Sequence, residues 1–432
     1  MDITLSWWAA LLGLALAIIL ILKKLNTTYA LMLGAIVGCL IGGSSLGQTV
    51  NIVVAGSQSV MGTVIRVLAA GVLAGVMMES GAANRIARAI VDGLGERMAI
   101  LSLALATMII CAVGVFIPVA VLIVAPIAIE VGSRLKISKL ALLIALSGGG
   151  KAGNIISPNP NTIAVASGFH IQPSAVMIGS FIPALCGLAM AVLLATIMQH
   201  RGRIVTMDDL GEDAAKASKD KDLPSLGRSL VAPITAVVLL LLNPVGSILH
   251  IGLLERFQVD AMYILPLASI LGLVAMGQGG KILTYTSAGL QRMVDVVLIL
   301  IGAGALGGLI TSSDLPKQIV NLIHAMGVPG SMLAPIAGIL MAAATASTST
   351  GVILGSSSFG KSILAFGTSG VAAAVTMQAG ATVIDQLPHG NYFHVTAKSI
   401  NMTLGERMKV VPFEFLVGLT MTLVAMLVYL VF

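Results

Sequence analysis

The polar residues that could bind a ligand lie in two short stretches between apolar segments, at 147–162 and 385–391. Both stretches contain proline, which removes a backbone donor, and the first is also rich in glycine, which weakens a helix. A continuous lipid-facing helix does not accommodate such residues. Non-helical backbone at membrane depth is tolerated only where protein or a water-filled cavity surrounds it. Both stretches therefore predict a broken helix that lines a polar site.

The side chains of these breaks supply the hydrogen-bond donors that an anion with hydroxyl groups requires. Helix N-termini at the breaks would add backbone amides and a dipole that favours a carboxylate. Asn391 follows Pro388 at the same distance at which Asn161 follows Pro158. The predicted substrate contacts are Ser157, Asn159, Asn161, Thr162 and Asn391. The alternative interpretation is that these polar groups satisfy only each other and the broken backbone.

A run of hydroxyl side chains lies in a separate apolar segment, where we expect the tip of a helical hairpin. It consists of Ser347, Thr348, Ser349 and Thr350. These oxygens could hydrogen-bond a substrate, and those of Ser347 and Ser349 could ligate a sodium ion. Ser and Thr also bond readily to neighbouring backbone groups, so the alternative is simple capping of the tip.

Three ionisable residues within the breaks are candidates for handling charge: Lys151, Asp385 and His389. An ionisable residue inside a membrane is a functional hypothesis by default. Lys151 is predicted either to attract an anion or to pair with Asp385, and the alternative is a lysine that snorkels to the cavity rim. A carboxylate or an imidazole that faces a cavity can bind and release a coupling proton. Asp385 is the first candidate for that role and His389 the second.

The composition indicates the class of protein that positions these residues. Of 432 residues, 57% are hydrophobic and 10% are charged, against about 25% charged in a soluble domain. The sequence therefore predicts an all-α membrane protein that crosses the bilayer many times. The net charge of +6 reflects lysines and arginines in loops rather than nucleic-acid binding. The three cysteines lie in apolar runs and predict free thiols, with neither a disulfide nor a metal site.

Apolar runs long enough to cross a bilayer, roughly 20 residues each, recur along the whole chain. The runs at about 98–132 and 331–362 are interrupted near the middle and predict two re-entrant helical hairpins. The runs at about 139–168 and 366–398 contain the two breaks. Without the hairpins, the runs make about ten crossings, five in each half.

The distribution of basic residues supports this topology. If both termini are outside, 19 of the 24 lysines and arginines lie in the cytoplasm, as the positive-inside rule requires. The exceptions are Arg66, Lys151, Arg256, Lys317 and Lys361. If either hairpin were counted as a single crossing, the predicted orientation of every later segment would be inverted. The excess of basic residues in the cytoplasm would then disappear.

The two halves share an order of features, which predicts an internal repeat. Gly71-Val-Leu-Ala-Gly75 aligns with Gly304-Ala-Leu-Gly-Gly308 at an offset of 233 (304 − 71). Because five crossings is an odd number, the second repeat must be inverted relative to the first. The predicted parts are a first repeat at 1–200, a cytoplasmic linker at 201–228 and a second repeat at 229–432. Inverted repeats with broken helices are typical of secondary transporters.

Several stretches carry a family resemblance: Met77-Met-Glu-Ser-Gly-Ala-Ala-Asn-Arg-Ile86, Phe116-Ile-Pro-Val-Ala-Val-Leu-Ile-Val-Ala-Pro126, Ile301-Gly-Ala-Gly-Ala-Leu-Gly-Gly308, Val383-Ile-Asp385 and Thr403-Leu-Gly-Glu406. The sequence resembles the gluconate:proton symporter (gluconate permease) family of the ion-transporter superfamily over nearly its whole length. The resemblance implies proton-driven uptake of a small sugar acid or hydroxycarboxylate across the bacterial inner membrane. It also implies a homodimer with an elevator-type transport domain.

The predicted function is therefore proton-coupled symport of a small organic acid, with no cofactor and no nucleic-acid partner. The main alternative is a sodium-coupled transporter of the carboxylate or citrate type, because the run at 347–350 is rich in oxygens. An intramembrane enzyme is a distant alternative, because it would need a nucleophile–base pair or a metal set, and no HExxH motif occurs. A passive channel is equally distant, since re-entrant hairpins in inverted repeats favour alternating access.

Overall fold

The computed structural model describes residues 4–209, 223–255, 259–315, 329–388 and 390–431, together with 317, 318, 321 and 325. These residues form helices and helical turns, with two isolated bridges and no strand. His389 and the part of the predicted linker at 210–222 lie outside the described residues.

The helices before and after the linker are numbered here in chain order. Helices α1–α11 span Trp7–Leu22, Thr27–Ile41, Leu46–Ser59, Met61–Glu79, Ala82–Leu94, Ala99–Ala112, Ile117–Arg134, Lys139–Ile155, Pro160–Gly168, Pro173–Gly179 and Phe181–Ile197. Helices α12–α22 span Leu226–Ser229, Val231–Leu249, Gly252–Glu255, Ala261–Ala275, Ile282–Thr311, Leu333–Thr345, Thr348–Ala365, Gly370–Gly380, Asn391–Ser399, Leu404–Met408 and Val411–Met426.

The two predicted hairpins are α6–α7 and α17–α18. In each, two apolar helices pack against one another and are joined by a short tip, at 113–116 and 346–347. Proline in the first turn of α7 fits a helix start, because the N–H that it lacks has no intrahelical partner there. In the second hairpin Ser347 caps α18, since its Oγ accepts a hydrogen bond from the Thr350 backbone N–H at 3.2 Å.

Both predicted helix breaks are present. Helix α8 ends at Ile155 and α9 begins at Pro160, while α19 ends at Gly380 and α20 begins at Asn391. In the first break Asn159 caps α9 with its side-chain oxygen, so the orphan amides of the new helix are satisfied inside the protein. Nearly every residue of α8 and α9 is buried, which is the environment that broken backbone at membrane depth requires.

Helices of the two halves start at a nearly constant offset. The offset is 234 for α2 and α15 (261 − 27) and for α6 and α17 (333 − 99), and it is 231 for α9 and α20 (391 − 160). Helices α3 and α4 together correspond to the single long helix α16. The predicted fold class, an all-α polytopic membrane protein with two inverted repeats, two helical hairpins and broken helices, is confirmed.

Glycines mark the place where the two repeats cross. Three glycines of α3 and α4 pack against their equivalents in α16, which lie at an offset of 233: Gly56, Gly71 and Gly75 meet Gly289, Gly304 and Gly308. The pairing is crosswise, since Gly56 contacts Gly304 and Gly308, while Gly289 contacts Gly71 and Gly75. Small residues let helix backbones approach closely in a bilayer.

Gly75→Ala should destabilise the protein by about 1–3 kcal/mol, because the added methyl group would overpack this crossing. A Cβ at Gly75 would lie 2.5 Å from the Cα of Gly289 and 2.5 Å from the carbonyl oxygen of Tyr285. Gly93→Ala is the matched control, since Gly93 also lies within a helix but has no atom within 4 Å of a Cβ placed there. Thermal unfolding in detergent measures both variants. Equal midpoints would contradict the close crossing.

Five described helices are long and apolar enough to cross a membrane, or seven if each bent pair counts as one span. Shorter apolar helices include Trp7–Leu22, Thr27–Ile41, Val231–Leu242 and Ala261–Ala275. The segment Ala82–Leu94 is bent by 105° from Glu96–Ala112, so α5 does not continue straight into the first hairpin.

Candidate functional site

Both hairpin tips and both helix breaks meet at one cavity of about 370 Å³. The first tip contributes 116–118, the second tip 345–350, the first break Asn154 and Asn161, and the second break Asp385 and 390–392, while Thr27 of α2 adds to the wall. The two repeats therefore build this site together. A cavity of this size, with convergent polar groups, suits a small ligand.

Besides α2, which begins at Thr27, four helices begin at the wall of the cavity. They are α7, α9, α18 and α20, which are the second arms of the two hairpins and the second halves of the two broken helices. The first backbone N–H groups of a helix have no intrahelical partner, and its N-terminus carries partial positive charge. Among the described residues that line the cavity there is no lysine or arginine. An anion in this cavity would therefore be held by helix ends and polar side chains.

A network of three asparagines closes the first break. The Asn159 Oδ1 atom accepts hydrogen bonds from the backbone N–H groups of Asn161 and Thr162, at 3.0 and 3.1 Å. Backbone N–H groups can only donate, so the Asn159 amide group must turn its Nδ2 toward Asn154. That Nδ2 donates to Asn154 Oδ1 at 2.7 Å, and Asn161 Nδ2 donates to the same oxygen at 3.1 Å. The backbone thus fixes the orientation of all three amides.

The orientation leaves one donor and one acceptor without a protein partner at the cavity wall. Asn154 and Asn161 are each 2% exposed and both line the cavity. Within the described part of the chain, Asn154 Nδ2 and Asn161 Oδ1 make no hydrogen bond. A buried polar atom without a partner costs roughly 1–3 kcal/mol, so a ligand that pairs with both atoms recovers that cost.

Lys151 and Asp385 form a buried ion pair across the two repeats. The Lys151 ammonium is fully buried and donates to the carboxylate of Asp385, to the backbone oxygen of Thr382 and, at 2.8 Å, to Gln386 Oε1. The other oxygen of Asp385 accepts a hydrogen bond from the hydroxyl of Thr348 at the second hairpin tip. Asp385 therefore connects α8 to the hairpin tip. Lys151 has three donors and uses each of them on a protein acceptor.

The structure brings seven of the predicted residues to the cavity wall: Asn161, Ser347, Thr348, Ser349, Thr350, Asp385 and Asn391. Four others lie behind the wall: Lys151, Ser157, Asn159 and Thr162. The contacts of Asn159 are those of the alternative interpretation, in which the polar groups satisfy the break itself. Thr162 Oγ1 accepts a hydrogen bond from Gln378 Nε2 at 2.9 Å. Substrate contact by Ser157, Asn159 and Thr162 stays a prediction, as does the role of His389.

Asn154 and Tyr392 are two of the wall residues that sequence reasoning missed. Asn154 stands 231 positions before Asp385, which is the offset between the broken helices, so the repeat itself could have identified it. Tyr392 directly follows Asn391, and no spacing in the sequence distinguishes it.

The side chains that usually ligate metal ions do not cluster in the described part of the chain. No group of three or more His, Cys, Asp or Glu residues suited to a metal ion occurs in the described ranges. Ser347 Oγ already accepts from the Thr350 N–H and lies 3.2 Å from Thr350 Oγ1. A sodium ion at Ser347 and Ser349 stays a prediction.

A family model and one relative each match nearly the whole chain. The model of the GntP family permease matches residues 4–431. An uncharacterized transporter of Haemophilus influenzae is 45% identical over 429 residues, with 99% of each chain covered. The D-serine transporter DsdX of Escherichia coli is 25% identical over 363 residues, covering 79% of this chain and 80% of the relative.

Two further comparisons concern a gluconate transporter and a solved structure. The high-affinity gluconate transporter of Escherichia coli is 24% identical over 304 residues, covering 68% of this chain and 67% of the relative. The structure of the YdaH transporter of Alcanivorax borkumensis has a TM-score of 0.60 and 16% identity, covering 85% of this chain and 86% of that chain. The latter likeness concerns the fold.

Proposed function

We propose that this chain, which belongs to the GntP family of permeases, carries a small hydroxylated organic acid into the cell by proton symport. The observation that carries the proposal is the convergence of four helix N-termini on one cavity whose described lining contains no lysine or arginine. A helix end binds a carboxylate through its free backbone N–H groups and the helix dipole. The first amides of α9 are not free, because Asn159 caps them. The proposed transporter resides in the bacterial inner membrane, with both termini outside.

The carboxylate of the substrate is proposed to bind at the N-termini of α18 and α20. The N-cap of α20 is Gly390, and no side chain of the described residues caps its first amides, which begin at Asn391. In α18 the cap from Ser347 reaches only the Thr350 N–H, which leaves the amides of Thr348 and Ser349 for a ligand. Both helices exceed two turns, so each has a dipole of useful size.

The remaining polar atoms of the cavity favour a substrate that also carries hydroxyl groups. A hydroxyl both donates and accepts, as Asn161 Oδ1 and Asn154 Nδ2 require. Sugar acids and hydroxycarboxylates meet this requirement. A hydroxyl-bearing amino acid such as D-serine is the second candidate, because Asn161 Oδ1 is an acceptor that an ammonium group can also use.

The mode of transport follows from the same proposal. The substrate site lies between hairpins and broken helices, and these would move as one transport domain against α3, α4 and α16, in an elevator-type cycle within a homodimer. Asp385 is the proposed carrier of the coupling proton, since it lines the cavity and contacts a hairpin tip. A sodium ion at the second hairpin tip is the alternative coupling ion.

Uptake by proteoliposomes tests the proposal directly. A panel of gluconate, other sugar acids, citrate and D-serine should contain an acid that accumulates when the outside is made acidic, with no requirement for sodium. Uptake that needs a sodium gradient and ignores the pH gradient would contradict proton coupling. Absence of uptake and of ligand-dependent thermal stabilisation for every acid would contradict the substrate class.

Asn154→Asp should weaken substrate binding about ten- to a hundredfold, the equivalent of one lost buried hydrogen bond. The variant keeps the oxygen that accepts from Asn159 and Asn161, but it replaces the free donor with an acceptor. Asn51→Asp, at an exposed position on α3, adds the same charge elsewhere and serves as the control. Binding isotherms of purified protein measure both, and wild-type affinity in Asn154→Asp would show that Asn154 does not contact the ligand.

A further inference from the structure

Another buried ion pair, besides Lys151–Asp385 and Lys139–Asp209, joins Arg407 to Glu414 next to the cavity, and the sequence does not predict it. Both residues are at most 1% exposed. The guanidinium group donates to the two carboxylate oxygens of Glu414 at 2.7 and 3.0 Å, which is the bidentate geometry of a strong pair. Arg407 belongs to α21 and Glu414 to the first turn of α22. The pair therefore fixes the connection between these two helices.

The further side-chain hydrogen bonds and cation–π contacts described for this ion pair are with one face of α20. Tyr392 donates its hydroxyl to Glu414 Oε1 at 2.8 Å, and Arg407 Nε donates to Thr396 Oγ1 at 3.1 Å. The guanidinium carbon also lies 4.9 Å from the ring centroid of Phe393 and 5.6 Å from that of Tyr392, within the range of cation–π attraction. Residues 392, 393 and 396 cover the first two turns of the helix. The ion pair therefore holds the end of α20 that begins at the cavity.

We propose that the Arg407–Glu414 pair is a positioning device that sets the N-terminus of α20 at the distance from which it binds the substrate carboxylate. Tyr392 connects the ion pair to the cavity end of α20, because Tyr392 lines the cavity and its hydroxyl donates to Glu414. This role rests on the proposed function. A group that holds a ligand must be fixed by its supporting contacts to within about 0.5 Å.

The geometry favours positioning over proton transfer along this chain of groups. Both oxygens of Glu414 are engaged by Arg407, and one of them also accepts from Tyr392. A carboxylate with these partners acts as an anchor. Removal of the Glu414 carboxylate would leave Arg407 without its counter-charge and Tyr392 without its acceptor, and so would change two contacts at once. Substitution of Tyr392 tests the positioning role while the ion pair stays in place.

Tyr392→Phe is the test, because it removes only the hydroxyl and leaves the ring and the ion pair. We expect KM for the transported acid to rise about three- to tenfold, with the maximal rate near that of wild type, since a free-energy change of 1.4 kcal/mol corresponds to a factor of ten. Hydrogen exchange of the first turn of α20 should also become faster. An unchanged KM together with unchanged exchange would overturn the proposal.

Asp209→Asn is the matched control for the loss of a buried polar contact. Asp209 is 1% exposed and pairs with Lys139 at 2.7 Å, at the start of α8 and far from the cavity end of that helix. This variant should be less stable but should keep the wild-type KM and the wild-type exchange of α20. An equal rise of KM in Asp209→Asn would assign the effect of Tyr392→Phe to general destabilisation and overturn the proposal.

The charge-reversal variant Arg407→Glu/Glu414→Arg adds a second test. It retains opposite charges at the two positions, but it places a guanidinium group, which has no acceptor, opposite the Tyr392 hydroxyl. We expect it to show the raised KM of Tyr392→Phe, and a wild-type KM would contradict the proposal. The exchange measurement needs no substrate. If the proposed function is wrong, hydrogen exchange still tests the positioning of α20. Failure of the proposed function and failure of the positioning proposal are therefore distinguishable.

Discussion

Lys151→Met should lower the free energy of unfolding by about 3–5 kcal/mol, which is the usual cost of breaking a buried ion pair by removing one partner. Among the described contacts, the Asp385 carboxylate would keep the hydrogen bond from Thr348, and this residue, which is 3% exposed, would lose the counter-charge of Lys151. The Thr382 backbone oxygen would lose this donor as well, and Gln386 Oε1 would lose Lys151 but keep the Asp385 backbone N–H. Chemical unfolding in detergent micelles measures the change.

The double variant Lys151→Met/Asp385→Asn should recover most of the lost stability. Removing both charges leaves no uncompensated ion, and replacement of a buried pair by neutral groups is often close to neutral in free energy. The comparison of the two single variants with the double variant gives the coupling energy of the pair. Additive losses, with no recovery in the double variant, would show that the two residues do not interact in the folded protein.

The sequence was informative where a residue type constrains the backbone. Prolines and glycines at 147–162 and 385–391 predicted both helix breaks, and the interruptions near 114 and 347 predicted both hairpin tips, because these positions do not continue a helix. The offset of 233 predicted the repeat, and the same offset relates the glycines at the crossing of α4 and α16. The predicted family resemblance, and the prediction of a transporter rather than an enzyme, are confirmed by the family match.

The sequence was less informative about which polar side chains line the cavity. Asn159 and Asn161 are two residues apart and chemically identical, but of the two only Asn161 lines the cavity. The side chain of Asn159 caps α9 instead. Helix rotation and amide orientation decide this difference, and neither is encoded in residue type. For Lys151 the sequence predicts one of two roles, attraction of an anion or pairing with Asp385. The structure selects the pairing because the two break segments lie side by side.

Charges outside the motifs were the hardest to assign. The positive-inside rule places Arg407 in a cytoplasmic loop, and no motif distinguishes Glu414, since an acid at the start of an apolar helix resembles ordinary helix capping. Their mutual distance and their contacts with Tyr392 depend on how α20, α21 and α22 pack. Packing of this kind joins segments that share no local pattern.

Loss of concentrative uptake is the result we expect from Lys151→Met/Asp385→Asn, the folded variant without a titratable group at the proposed proton site. It should still bind the acid and exchange labelled for unlabelled substrate across proteoliposomes. It should not accumulate the acid above the external concentration when a pH gradient is imposed. Counterflow and concentrative uptake, measured on the same vesicles, separate the two activities.

The physical reason lies in the two contacts of the Asp385 carboxylate. An ionised carboxylate only accepts hydrogen bonds, so Asp385 can serve Lys151 and Thr348 at once, whereas a protonated one must also donate. Protonation therefore changes how the second hairpin tip is tied to α8. Lys151 would stay anchored by Thr382 O and Gln386 Oε1, so the site tolerates the change. An asparagine at 385 keeps one acceptor and one donor permanently and no longer responds to the proton.

Lys139→Met/Asp209→Asn is the matched control, since it removes the same two charges from an equally buried pair that does not line the cavity. This control should accumulate the acid as wild type does. If the variant at 151 and 385 also accumulates substrate in a pH gradient, Asp385 does not carry the coupling proton. The oxygens of Ser347 and Ser349, with sodium as the coupling ion, then become the site to test, because they lie on the hairpin tip that Asp385 contacts through Thr348.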